Sequence, residues 1–165
     1  MTFGLVIAKL ISCGSLYTYR LEFITEDHPR RGVAFLISED ERVTAKPIFD
    51  GLKEDTRRMF KTRFDYWLSG KPYERGYHGW DKSEYQGGYV NCFVFTCREN
   101  RLAQRFYGFL CNPKPSDHGY HICILIRHAS KKEHETDETD LKIVEEIRTS
   151  PIVKKVIDDY FKENP

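Results

Sequence analysis

Three apolar runs follow one another with little chain between them: "YVNCFVFTC" (89–97), "LAQRFYGFL" (102–110) and "YHICILIRHA" (120–129). Each has the length of a strand and is rich in β-branched and aromatic residues. "RENR" separates the first pair and leaves room only for a short hairpin link, while the prolines and glycine of "CNPKPSDHG" mark a wider turn. A parallel pairing would need a long crossover, so the three runs predict an antiparallel meander. The rest of the chain must then cover that sheet.

The remaining segments supply the cover. "LYTYRLEFI" (16–24) reads as a strand, with Tyr17, Tyr19, Leu21 and Phe23 alternating against Thr18, Arg20 and Glu22. "DHPRRG" reads as a turn, and "VAFLI" (33–37) fits a strand or a short helix equally well. Residues 45–69 predict one amphipathic helix, with apolar positions 49, 52, 59, 60, 64, 67 and 68 at helical spacing. Thr44 is its expected N-cap, Pro47 falls in its first turn and Gly70 stops it. Residues 71–88 read as a long loop. The tail predicts two helices. The first is "DETDLKIVEEIR", with acids at its positive end, and the second is "SPIVKKVIDDYF", with Ser150 as N-cap and Pro151 at the first helical position. The order is α+β, one domain over residues 1–165.

At 165 residues and 40% hydrophobic content the chain can bury a core. Its five cysteines include no CxxC pair and lie mostly in strand-like runs, which predicts reduced, buried thiols rather than a disulfide framework or a zinc site. The six histidines are scattered, and no phosphate-binding glycine loop, GxSxG or HExxH occurs, so neither a cofactor nor a metal is expected. "FGLVIAKLI" is too short to span a bilayer and is interrupted by Lys9. The expectation is a cytoplasmic protein without a membrane partner.

A net charge of +1 argues against a chain that coats nucleic acid generally, yet the basic residues are uneven. Between 56 and 75, Arg57, Arg58, Lys61, Arg63, Lys71 and Arg75 meet only Asp65 and Glu74. Between 97 and 132, Arg98, Arg101, Arg105, Lys114, Arg127, Lys131 and Lys132 meet only Glu99 and Asp117. Tyr66, Trp67, Tyr73, Tyr77, Trp80, Tyr85 and Tyr107 are interleaved with them. Cations that hold phosphates, with rings that stack bases, suit RNA. The plainer alternative is that the rings are core and the cations solvated, and for Trp67 that alternative holds.

Within the second basic stretch, strand alternation points Arg105, Tyr107 and Phe109 one way and Gln104, Phe106 and Leu110 the other. An arginine inside a strand is either tied to an acid, for which Glu22 is a candidate, or forms a cationic floor for phosphate. Lys131 and Lys132 close the last strand. The acids that follow them belong to a helix start.

These residues resemble the RelE/HigB/ParE superfamily of bacterial toxin–antitoxin toxins, in its phage-related HigB-like branch. The likeness rests on "TCR" with Arg98, "RFYGFL" with Arg105, "ICILIRHASKK" with Lys131 and Lys132, then "DETDLKIVEEIR", with an amphipathic helix ahead of them. It implies a small curved antiparallel sheet flanked by helices, and metal-independent cleavage of mRNA on the ribosome. It also implies a cognate antitoxin as partner. The catalytic set carried over is Arg98, Arg105, Lys131 and Lys132. Tyr107 and His128 join it by alternation and proximity as acid–base candidates. The 57–75 cations would line the RNA path. The first forty residues and the 71–88 segment have no counterpart in the family. The alternative on the same scaffold is a non-catalytic module that grips an antitoxin or another target protein.

Overall fold

The computed structural model describes residues 8–9, 17–24, 28–71, 76–131 and 137–165. Among them seven strands form one sheet: β1 Ala8–Lys9, β2 Thr18–Phe23, β3 Arg31–Ser38, β4 Tyr77–Gly79, β5 Cys92–Glu99, β6 Leu102–Cys111 and β7 His121–Lys131. The order across the sheet is β1-β2-β3-β7-β6-β5-β4. Strands β4 to β7 are the expected antiparallel meander, and β1–β3 are antiparallel among themselves. The two sets meet at a parallel seam between β3 and β7, with Arg31 opposite His121 and Phe35 opposite Leu125. The sheet is therefore mixed and larger than the small antiparallel one expected. "VAFLI" is settled as strand, and the turn expected at "DHPRRG" ends before Arg31, which opens β3. A central position explains the near-continuous apolar run Val33–Leu36, because β3 is covered on both faces.

Two helices cover each face. On one side α1 (Ala45–Gly51) and α2 (Glu54–Leu68) bury Phe49, Phe60, Phe64 and Trp67 against Phe35, Phe95, Phe106 and Leu125. On the other, α3 (Glu138–Thr149) and α4 (Pro151–Glu163) bury Leu141, Val144, Ile147, Val153 and Val156 against Tyr19, Leu21, Tyr107 and Ile124. The expected single helix over 45–69 is thus two. Leu52 and Lys53 adopt extended backbone angles between them, and the acids Glu54 and Asp55 open α2 at its positive end. Both helices lie on the same sheet face, so the apolar spacing runs across the break unaltered.

Strand β7 carries a bulge. Tyr107 pairs with Arg127 and Gly108 with Leu125, leaving Ile126 opposite nothing. The bulge keeps Ile126 and Arg127 on the same, α3, face. Thr44 secures it: its N–H donates to Ile126 O at 2.9 Å, and its Oγ1 accepts from His128 N at 3.0 Å. Thr44 stands at the N-cap position of α1 as expected, but its side chain makes no cap bond to the helix and holds the bulge instead. Gly70, with φ +78°, ends α2 as expected.

The described part of the segment expected as a loop, 76–88, carries regular structure. It contains β4 and a short 3-10 turn at Glu84–Gly87. The "RENR" link is a two-residue hairpin loop with Asn100 and Arg101 both at positive φ, the form that matches strand twist. No helix among the described residues is long and apolar enough to cross a membrane.

Candidate functional site

The register gathers several of the cations. Cross-strand rows on the α3 face read Val94–Tyr107–Arg127, then Thr96–Arg105–Ala129, then Arg98–Ala103–Lys131. The alternation of core residues places these rows on that face, because Val94, Tyr107 and Ala129 pack there while Phe95, Cys97 and Phe106 pack on the other. Arg105 is thus the diagonal neighbour of both Arg98 and Lys131, roughly 7–8 Å for such pairs, while Arg98 and Lys131 stand two strands apart on either side of Ala103. Lys132 lies outside the described residues.

The members differ in access. Arg98 is exposed at the hairpin end of β5, whereas Arg105 is 6% exposed and its Nη1 donates to Tyr107 Oη at 3.5 Å. Lys131 Nζ is held 3.0 Å from Asp140 and 3.5 Å from Asp137, the residue whose carboxylate caps α3 through Thr139 N. Arg127 Nε donates to the same Asp140 at 2.7 Å. The acids after the last strand therefore do two things: they start a helix, and they neutralise part of the cationic face. Glu22 is not Arg105's partner. It sits on the other face with Arg20 and Lys46.

Two proposed acid–base groups fall out of this set. Tyr107 has no exposed surface and stacks against Trp80 at 6.4 Å, so it is core. His128 is three residues from Lys131 on one strand and so faces the opposite helices. There its Nε2 bonds Gln104 Oε1 at 2.6 Å and its ring lies 5.0 Å from Phe106. Tyr77 and Trp80, read as possible stacking rings, are buried as well, while Tyr66 and Tyr85 are exposed. Tyr73 lies outside the described residues.

A histidine missing from the sequence-derived set stands at the site. His78 of β4 pairs with Val94, which puts it on the α3 face one strand beyond the arginines. Its ring is 5.0 Å from Trp80. Burial is the main cause that lowers its pKa below the ordinary histidine value; Glu84 opposes this, and the positive charge of Arg105 adds to it. The imidazole is then neutral at pH 7 and able to accept a proton. Only the pairing of β4 with β5 reveals it, because the three residues Tyr77–Gly79 are too short a run to give a strand signal.

The first basic stretch does not form one surface. Arg58 is tied to Glu54 and Asp55, and Lys71 lies over the Tyr66 ring at 4.2 Å. Arg63 turns inward: its Nε donates to Cys97 Sγ at 2.9 Å, and its side chain occupies the space a Cβ on Gly76 would need. Arg57 and Lys61 border a cavity between α1, α2 and β2. Arg75 lies outside the described residues. No three His, Cys, Asp or Glu side chains converge as a metal site among the described residues. Cys92, Cys97, Cys111 and Cys123 are free thiols, each with its pKa pushed up by burial.

Both His78 and His128 have pKa values lowered by burial, which fixes a sign for stability. The unfolded chain, with histidine near pH 6.5, binds protons that the folded chain refuses. Stability is complete above about pH 6.5 and declines as pH falls below it. Urea unfolding at pH 7 and pH 5 should show that decline. His128→Gln should remove the part of it that His128 contributes and leave the part from His78. An unchanged slope in the variant would remove His128 from the account.

Comparison with protein-family models, with curated proteins and with solved structures finds no match.

Proposed function

We propose that the chain is a RelE/HigB-like endoribonuclease that cleaves mRNA, on the ribosome, without a metal. The observation that carries this reading is the set of cations Arg98, Arg105 and Lys131 on one sheet face, with the neutral His78 on the same face two strands from Arg105. The helix pair, the antiparallel meander and α3 stand in the order on which the resemblance rests, while β1, β3, the parallel seam and α4 lie outside it. In this scheme His78 takes the proton from a ribose 2′-hydroxyl. The 2′-oxygen attacks the adjacent phosphorus, and the arginines stabilise the charge that builds on the phosphoryl oxygens. The bond to the 5′-oxygen breaks, that oxygen takes a proton from water, and a 2′,3′-cyclic phosphate remains. The site acts in the cytoplasm, and an antitoxin restrains it.

Purified protein incubated with end-labelled RNA or with programmed ribosomes should yield cyclic-phosphate ends. His78→Ala should slow cleavage by about 100-fold. Arg98→Ala, at an exposed position, should weaken RNA binding and flatten its salt dependence. Harmless expression at high level, or full activity in the His78 variant, would overturn the reading.

A second reading is favoured by one observation: Asp140 neutralises both Arg127 and Lys131. Under it the chain is a non-catalytic module on the same scaffold that grips an antitoxin or target protein. RNA binding that ignores salt, with no cleavage, would support it.

A further inference from the structure

Beyond β4 the chain turns at Glu84–Gly87 before it enters β5. Three successive residues of that turn lie in the left-handed region: Tyr85 at φ +47°, Gln86 at φ +57° and Gly87 at φ +76°. The glycine takes that conformation at little cost, but Tyr85 and Gln86 carry a Cβ that crowds the backbone there. Such strain persists only where the surroundings hold it, and it gathers at ligand-binding sites. Here the turn is held from both ends. Asp81 N–H donates to Glu84 Oε1 at 3.2 Å, Glu84 N–H donates back to Asp81 O at 3.2 Å, and Gly88 N–H donates to Tyr85 O at 3.1 Å. The strained residue itself is not buried: Tyr85 is 43% exposed. Its ring stands 5.3 Å from that of Tyr89, edge to face, so this neighbour covers at most one side of it.

The surroundings place the ring at the candidate site. Tyr89 belongs to the core on the α3 face, and its Oη donates to Glu138 Oε1 at 2.8 Å, in the helix turn whose Asp140 holds Lys131. The charge of Glu84, next to Tyr85 in the chain, acts on His78. Tyr85 thus stands between the β4 edge and the start of α3, on the sheet face of Arg98 and Arg105. Resting on the reading of that face as an RNA site, we propose that Tyr85 is the platform on which an unpaired nucleobase stacks, so that the site selects single-stranded RNA. A backbone held by the arginines carries its bases to the border of the face, and any base can stack there because each has a π-face. A base inside a duplex is already stacked on both sides and offers none.

Fluorescence anisotropy of the full chain with labelled oligonucleotides tests it. The probes are a short 2′-O-methyl oligoadenylate, which cannot be cut because its 2′-oxygen is blocked, the same strand without bases, and its duplex. The single strand should bind about tenfold more tightly than the abasic strand. Tyr85→Ala should weaken the single strand about tenfold, with the abasic strand, the duplex and the salt slope unchanged, and Tyr85→Phe should keep the parent affinity. Tyr85→Gly, which removes the strain together with the ring, should lose the same affinity without a lower urea midpoint. Parent affinity in Tyr85→Ala, or equal binding of the abasic strand, would overturn the proposal. So would a urea midpoint that falls in Tyr85→Gly, since the residue would then serve packing. Cleavage is read separately on unmodified RNA. Binding that depends on Tyr85 without cleavage sinks the nuclease and keeps the platform, and cleavage with an unaffected Tyr85→Ala does the reverse.

Discussion

Gly108→Ala is expected to cost about 3 kcal/mol or more, a large share of the stability of a domain. An added Cβ would stand 2.0 Å from Ile124 O and 2.9 Å from Leu125 Cα. Those are backbone atoms of a central strand, with β6 on one side and β3 on the other, so they have nowhere to move. The position is where the bulge begins, and the bulge is what keeps Arg127 facing Asp140. The substitution therefore strikes the sheet and the ion network together. Solubility and urea midpoint measure the effect. A variant within 1 kcal/mol of the parent would mean that β6 and β7 approach each other less closely than described.

Asp140→Ala should be the second most costly change, at about 2–3 kcal/mol. The carboxylate is 5% exposed and accepts from Arg127 at 2.7 Å and Lys131 at 3.0 Å. Its removal leaves two cations facing each other without their acid. The loss falls below that for fully buried pairs because Arg127 and Lys131 retain 25% and 22% exposure, so water takes up part of the charge. Adding Arg127→Met to the variant should restore part of the loss, because the second change removes the stranded charge. Urea denaturation of the two singles and the double measures the coupling. Strict additivity would show that Arg127 and Asp140 act independently.

What the sequence made legible depended on distance along the chain. The meander was readable because its links are short. The faces of Tyr17, Tyr19, Leu21 and Phe23, and of Arg105, Tyr107 and Phe109, followed from strict alternation within one strand. Pro151 and the acids before Leu141 marked the last two helices through local end effects. The parallel seam was not readable, because β3 meets β7 across most of the chain and neither strand encodes its partner. His78 was missed for the same reason, since its place comes from β5 rather than from its own neighbours. His128 was a different error. Its separation of three from Lys131 puts the two on opposite faces of β7, so nearness along the chain does not bring them together. Trp80 and Tyr77 went to the core because β4 turns a glycine- and tyrosine-rich segment into a sheet edge.

The parallel seam also sets the order in which the molecule can be completed on the ribosome. Strand β3 leaves the exit tunnel early, with Val33 to Leu36 wholly apolar, and β2 satisfies only one of its borders. Its other border stays open until β7, which begins 90 positions after β3 begins, has been translated. For that interval the nascent polypeptide displays a sticky β-edge, which the α1–α2 hairpin can shade from one side but cannot close.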